Sequence, residues 1–245
     1  MELAFYQVVP EVSYAAAYAG NTAKALLLFL LGMTVFYTGE AMHRDREVRI
    51  EPVLWSAPAP NNVLLLSKFL ATLLLTLALI VLVGLTAIVI QFLRGHMPVD
   101  IQAFLITYSL ILLPSIVFMT GVSIALNVLL RDKYLAYAAS VGTGAGLFYL
   151  YSNGYNHWLY NPVLYGLWTP SDLTGTARNL TQIITHRIYC LAIAILFLSL
   201  AHLFFERKST KGIKTGHRLS SSGWSTLIGA TSVAVAVITG LIIRS

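Results

Sequence analysis

The chain has 245 residues, of which 57% are hydrophobic and only 11% charged, with a formal net charge of +6. A water-soluble globular domain carries about 25% charged residues, so a chain this apolar needs lipid as its solvent. The basic residues lie in short stretches between apolar runs and form no basic face with interleaved aromatics. That excludes nucleic acid as a partner and assigns the charge to topology and to the anionic headgroups of membrane lipid.

Six apolar runs follow in chain order, each long enough for the roughly 20 residues a bilayer crossing requires. Segment A covers residues 21–37, with 15–20 available to extend it. Segments B and C cover 63–92 and 101–129. Both exceed what a bilayer needs and are expected to tilt or project, and Pro114 predicts a kink in C. Segments D, E and F cover 134–151, 183–205 and 224–243. The expected fold class is all-α, a polytopic membrane protein of about six transmembrane helices. Residues 1–20 lack the basic start of a secretory signal peptide.

Arg44, Arg46 and Arg49 lie between A and B, with Lys68 just inside B. Arg131 and Lys133 lie between C and D, and Arg207, Lys208, Lys211, Lys214 and Arg218 between E and F. The alternate connections hold only Arg94 and Arg178, and Arg244 follows F. The positive-inside rule puts the A–B, C–D and E–F connections in the cytoplasm and both termini outside. Residues 207–222 read as a basic, small and polar linker.

The A–B connection is the densest charge cluster, from Gly39 and Glu40 through His43, Arg44, Asp45, Arg46, Glu47 and Arg49 to Glu51 and Pro52. Glu40/Arg44 and Asp45/Arg49 have the acidic residue four positions before the basic one, the better order on a helix. A short charged helix over 40–50, ending near Pro52, is therefore expected on the cytoplasmic face. Such a helix suits either a solvated, topology-setting loop or a surface that docks a soluble protein through complementary charge.

Glu40, Arg44, Arg46, Glu47 and Glu51, then Leu54-Trp55-Ser56-Ala57-Pro58, then Leu64 through Ser67-Lys68-Phe69, resemble the pattern of ABC-2-type permeases. Ser67-Lys68 stands where that family commonly has Gly-Lys. The resemblance implies an ABC-2 exporter-like bundle over residues 1–206, in a bacterial cytoplasmic membrane. Residues 39–51 would be its coupling helix, docked on an ATP-binding-cassette ATPase subunit through Glu40, Arg44, Arg46, Glu47, Arg49 and Glu51. ATP and magnesium would be held by that subunit, leaving no cofactor and no catalytic residue in this chain. A second permease half, identical or homologous, would complete the transporter.

The resemblance covers residues 21–207. The family's first helix has no counterpart, and segment F (within 223–245) is additional. Both fit either a piece of a longer polypeptide or an atypical member of the family. The resemblance also implies a large outer-face segment between its last two helices, here 153–182, with Tyr155, Trp158, Tyr160, Tyr165 and Trp168. These aromatics suit an interfacial belt or an outer gate.

Other patterns are set aside. The chain has neither Gly-x-x-x-x-Gly-Lys-Ser/Thr nor His-Glu-x-x-His, so it holds no such phosphate loop or zinc-peptidase motif. Gly142 and Gly146 lie in an apolar segment without a preceding strand and suit close helix packing, not dinucleotide binding. The lone Cys190 excludes an intrachain disulfide. His202 is expected either to hydrogen-bond between helices or to sit at the interface, and Lys24, Lys68 and Arg187 to snorkel. Thr107, Ser109, Ser115, Thr120, Ser123 and Asn127 in segment C either line a path or join helices. No carboxylate lies at the centre of a segment, which argues against a buried proton or sodium site. The alternatives to a permease are a structural subunit or anchor for an outer-face, peptidase-like domain, and an intramembrane enzyme.

Overall fold

A computed structural model describes residues 14–50, 60–97, 99–155, 157, 159, 161–163, 180–205 and 218–244. Helices account for nearly all of them, and no strand occurs among the described residues. The helices are α1 (Tyr14–Glu47), α2 (Asn61–Leu93), α3 (Ile101–Leu130), α4 (Lys133–Ser152), α5 (Leu180–Phe204) and α6 (Arg218–Arg244).

α1, α2, α3, α5 and α6 are long and apolar enough to cross a membrane. The chain is a multi-pass helical membrane protein. α4 is a helix of 20 residues, but glycines and tyrosines interrupt it, and it has no stretch as continuously apolar as those of the other five. That is the physical reason the sequence count of six and the structural count of five differ.

α3 is the axis of the bundle. Nearly every side chain from Ile111 to Val128 is buried, and the helix packs against α1, α2, α4 and α5. α1 buries a single stripe, Ala15, Ala19, Ala23, Leu27, Leu30, Thr34 and Thr38, the spacing of one helix face. α2 likewise buries Leu65, Thr72, Thr76, Ile80, Gly84, Ala87 and Gln91. Its other faces are exposed Leu, Ile and Val, as a lipid-facing helix requires. In lipid, helices gain little from burying apolar surface, so association falls to close packing and to hydrogen bonds. Small residues provide that approach. A Cβ on Gly121 of α3 would meet the Ala194 carbonyl of α5 at 3.0 Å, and one on Gly229 of α6 would meet Ser199 Cβ of α5 at 3.4 Å.

The kink expected at Pro114 takes the form of a π-helical stretch over Tyr108–Leu112. Proline has no N–H and crowds the carbonyl four residues back. The preceding turn widens, and Leu113 N–H bonds Tyr108 O instead.

Several boundaries differ from expectation. Segment A and the short charged helix are one element, because nothing between Tyr37 and Glu47 stops a helix. α5 starts at Leu180, and α6 starts at Arg218, inside the expected linker 207–222. The remainder of that linker, 207–217, lies outside the described residues.

Candidate functional site

The charged end of α1 is the best-defined polar site, and three helices build it. Glu40 and Glu47 are two turns apart on α1, so both carboxylates line one side of the helix. Lys133, the first residue of α4, sits between them at 3.0 Å from Glu40 Oε1 and 2.6 Å from Glu47 Oε1. Hydrogen bonding to Glu47 and then to Glu40 holds the Lys133 ammonium well above the usual lysine range. Lys133 is presented there because Asp132 caps α4, its carboxylate accepting from Leu135 N–H at 2.8 Å.

Tyr137, one turn further along α4, donates its hydroxyl to Glu40 Oε1 at 3.0 Å. Its ring lies across Gly39, where any Cβ would fall closer than 3.0 Å to the ring. Gly39 is therefore needed for close approach and not for an unusual backbone angle.

On the opposite side of α1, Asp45 Oδ2 meets Lys68 Nζ of α2 at 2.5 Å, and Lys68 also donates to the Ala41 carbonyl. Between these pairs a buried polar chain runs inward. His43 Nε2 is 2.9 Å from Asn127 Oδ1 of α3, and Asn127 Nδ2 donates to Ser123 O at 2.8 Å. The amide nitrogen being so engaged, Oδ1 faces the ring and the His43 proton sits on Nε2. Ser140 of α4 reaches Ser123 Oγ at 3.4 Å.

The helix ends beyond Glu47 in a left-handed residue, Arg49, at φ 59°. Val48 N–H bonds Arg44 O and Ile50 N–H returns to Asp45 O, the six-to-one bond of a Schellman-type closure. Arg44, Val48, Arg49 and Ile50 are all exposed.

Of the six residues expected to dock an ATPase, the structure separates two groups. Glu40 and Glu47 turn toward Lys133, in place of the expected Glu40–Arg44 pairing. Asp45 likewise goes to Lys68 and not to Arg49. Arg44 and Arg49 are exposed. The Arg46 side chain and Glu51 lie outside the described residues. Lys133 and Tyr137 are the members that sequence reasoning missed. The signal for them was the seven-residue separation of Glu40 and Glu47, which places two acids on one face for a single cation.

Other expected features fall as follows. Lys68, expected to snorkel, is held by Asp45, and Arg187, expected to do the same, is buried. It is 5% exposed, two turns inside α5. Lys24's side chain lies outside the described ones. Gly142 and Gly146 meet nothing within 4 Å, while Gly144 packs on Met119. The buried line of α4 is Ala136, Ser140 and Gly144, so within this chain the expected glycine pair is on the exposed side.

Ser115 and Thr120 bond the carbonyls four residues back in their own helix, Ser109 is exposed, and only Ser123 and Asn127 join other helices. His202 Nδ1 lies 2.6 Å from Ser225 Oγ of α6, an interhelical bond, the first of the two expectations. Tyr155 is exposed at the far end of α4, and Trp158, Tyr160, Tyr165 and Trp168 lie outside the described residues. Among the described residues no group of three or more His, Cys, Asp or Glu is placed to hold a metal ion.

The chain matches no protein-family model, no curated protein and no solved structure.

Proposed function

We propose that this chain is the membrane-spanning permease of an ATP-driven exporter of ABC-2 type, coupled to a separate ATPase through the charged end of α1. The observation that carries the reading is the bracing of that end. Asp45 to Lys68 ties it to α2, Glu40 and Glu47 to Lys133 tie it to α4, and His43 to Asn127 ties it to α3. A force applied at Glu47–Ile50 therefore reaches three helices at once, which is what a coupling element must do. The resemblance over residues 40–69 supports the same assignment.

In this reading α4 is a sixth crossing, the braced end faces the cytoplasm, and the membrane is a bacterial cytoplasmic one. The ATPase holds ATP and magnesium. A second permease half stands opposite, and movement of one half against the other carries substrate outward past a rim that includes Tyr155.

The test is affinity purification of the tagged chain from its native membrane in mild detergent, with assay of ATP hydrolysis and identification of the bound subunits. A stoichiometric ATPase, released by Arg44→Glu with Arg46→Glu, is expected. A chain that purifies alone or only with an outer-face enzyme refutes the proposal in favour of an anchoring subunit.

A further inference from the structure

We infer that the end of α1 presents its partner with arginines around exposed apolar side chains, and that it fits an apolar pocket rimmed by carboxylates on a soluble protein. This rests on the docking reading above and goes beyond it, since the sequence offered a mixed-charge helix with acids and bases equally available.

The structure divides those charges. Glu40 and Glu47 share Lys133, and Asp45 holds Lys68. Among the described residues each carboxylate of this end is met by a cation of this same chain, so a docking protein that supplied cations to them would have to displace Lys68 or Lys133. Arg44 and Arg49 are exposed. Val48 is 58% and Ile50 42% exposed at the same tip. Complementary charge at a rim steers association, and a desolvated apolar centre supplies affinity.

A protein partner is favoured over a lipid surface by the direction of the helix. An interfacial helix lies in the membrane plane with its apolar face in the headgroups. α1 instead runs without a break from its apolar span to Glu47, and at this level two lysines on neighbouring helices hold it. The helix therefore does not turn into the membrane plane at its charged end, and the closing turn at Arg49 leaves Val48 and Ile50 exposed beyond it.

The left-handed φ of Arg49 provides a clean variant. Glycine suits that angle better than arginine, so Arg49→Gly removes the guanidinium while keeping the turn. The experiment compares the full-length wild type, Arg49→Gly, Arg44→Glu with Arg49→Gly, and Glu47→Gln. Each is purified from its native membrane and assayed for retained ATPase subunit, for thermal midpoint and for binding to phosphatidylglycerol vesicles.

The double arginine variant is expected to retain roughly tenfold less ATPase with no fall in midpoint. Glu47→Gln is expected to retain wild-type amounts. Loss of the ATPase from Glu47→Gln equal to that from the arginine variants, at an unchanged thermal midpoint, overturns the inference and leaves the docking reading standing. Arginine variants that keep the ATPase but lose vesicle binding overturn it in favour of lipid. A wild type that carries no ATPase removes the docking reading and the inference with it.

Discussion

Lys133 stands on the first turn of a helix yet serves two carboxylates on another, and that kind of pairing depends on the third dimension. The sequence showed the acids and their spacing. It did not show that α4 begins beside α1, so local Glu40–Arg44 and Asp45–Arg49 pairs were expected instead. Local pairs on an exposed helix contribute only about 0.2–0.5 kcal/mol, and partly buried interhelix pairs displace them readily. The same reasoning covers His43, unremarkable in sequence but buried against Asn127.

Asn127→Leu should lower stability by about 1–3 kcal/mol, because the Nε2–H of His43 loses its acceptor while staying buried. Asn127→Leu with His43→Leu should recover much of that loss, since removing both partners leaves no stranded donor. Thermal midpoints of the purified variants in one detergent decide it. A double variant no more stable than Asn127→Leu alone would show that the pair is not what holds α1 to α3 here.

At the level of helices, the apolar runs located every element, because lipid-facing sequence has few alternatives to helix. What stayed hidden was which side of each helix turns inward. The sequence singled out Gly142 and Gly146, whereas the helix uses Gly144, one face round, and the small residue that matters most at the charged end is Gly39. Periodicity gives a face only when apolar and polar residues segregate, and in α4 small residues lie on both the buried and the exposed side.

Gly39→Ala is expected to push the Tyr137 ring off Glu40 and to destabilise the protein by about 1–3 kcal/mol, the usual range for overpacking. In a Tyr137→Ala background the same substitution should have little effect, giving a coupling of about 0.5–3 kcal/mol in a double-mutant cycle. Additive losses would mean that Gly39 matters for some reason other than this ring.

For the whole molecule, charge placement in the connections put A–B, C–D and E–F on one side, and the described helix ends beside them do lie together: Asp45 with Lys68, Glu47 with Lys133, and Asn61 Nδ2 with Phe205 O at 3.3 Å. The ends of α1 and α4 that meet through Glu47 and Lys133 share one side, and Tyr155 follows the opposite end of α4. With Cys190→Ala as background, an impermeant thiol reagent should label a cysteine at position 49 only from the cytoplasmic side. A cysteine at position 155 should react only from outside. Labelling of both from one side would mean that α4 does not cross, and five crossings would then replace six. The third connection, within 206–217, lies outside the described residues. α6 rests almost entirely on α5, through Ser225, Gly229 and their neighbours.

The π turn before Pro114 has a consequence for how α3 serves its neighbours. A π turn is an α-helix that has gained one residue, and one residue is about 100° of rotation at 3.6 residues per turn. The outer piece of α3 is thus set out of phase with the inner piece. Tyr108 on the outer piece bonds Thr22 of α1 and lies against Gly84 of α2, while Gly121 on the inner piece seats Ala194 of α5. A single straight α-helix would keep one heading along its length and would have to give up one of these partners. The extra residue works as an angular offset, and deleting it would turn Tyr108 away from Thr22 while leaving the helix itself intact.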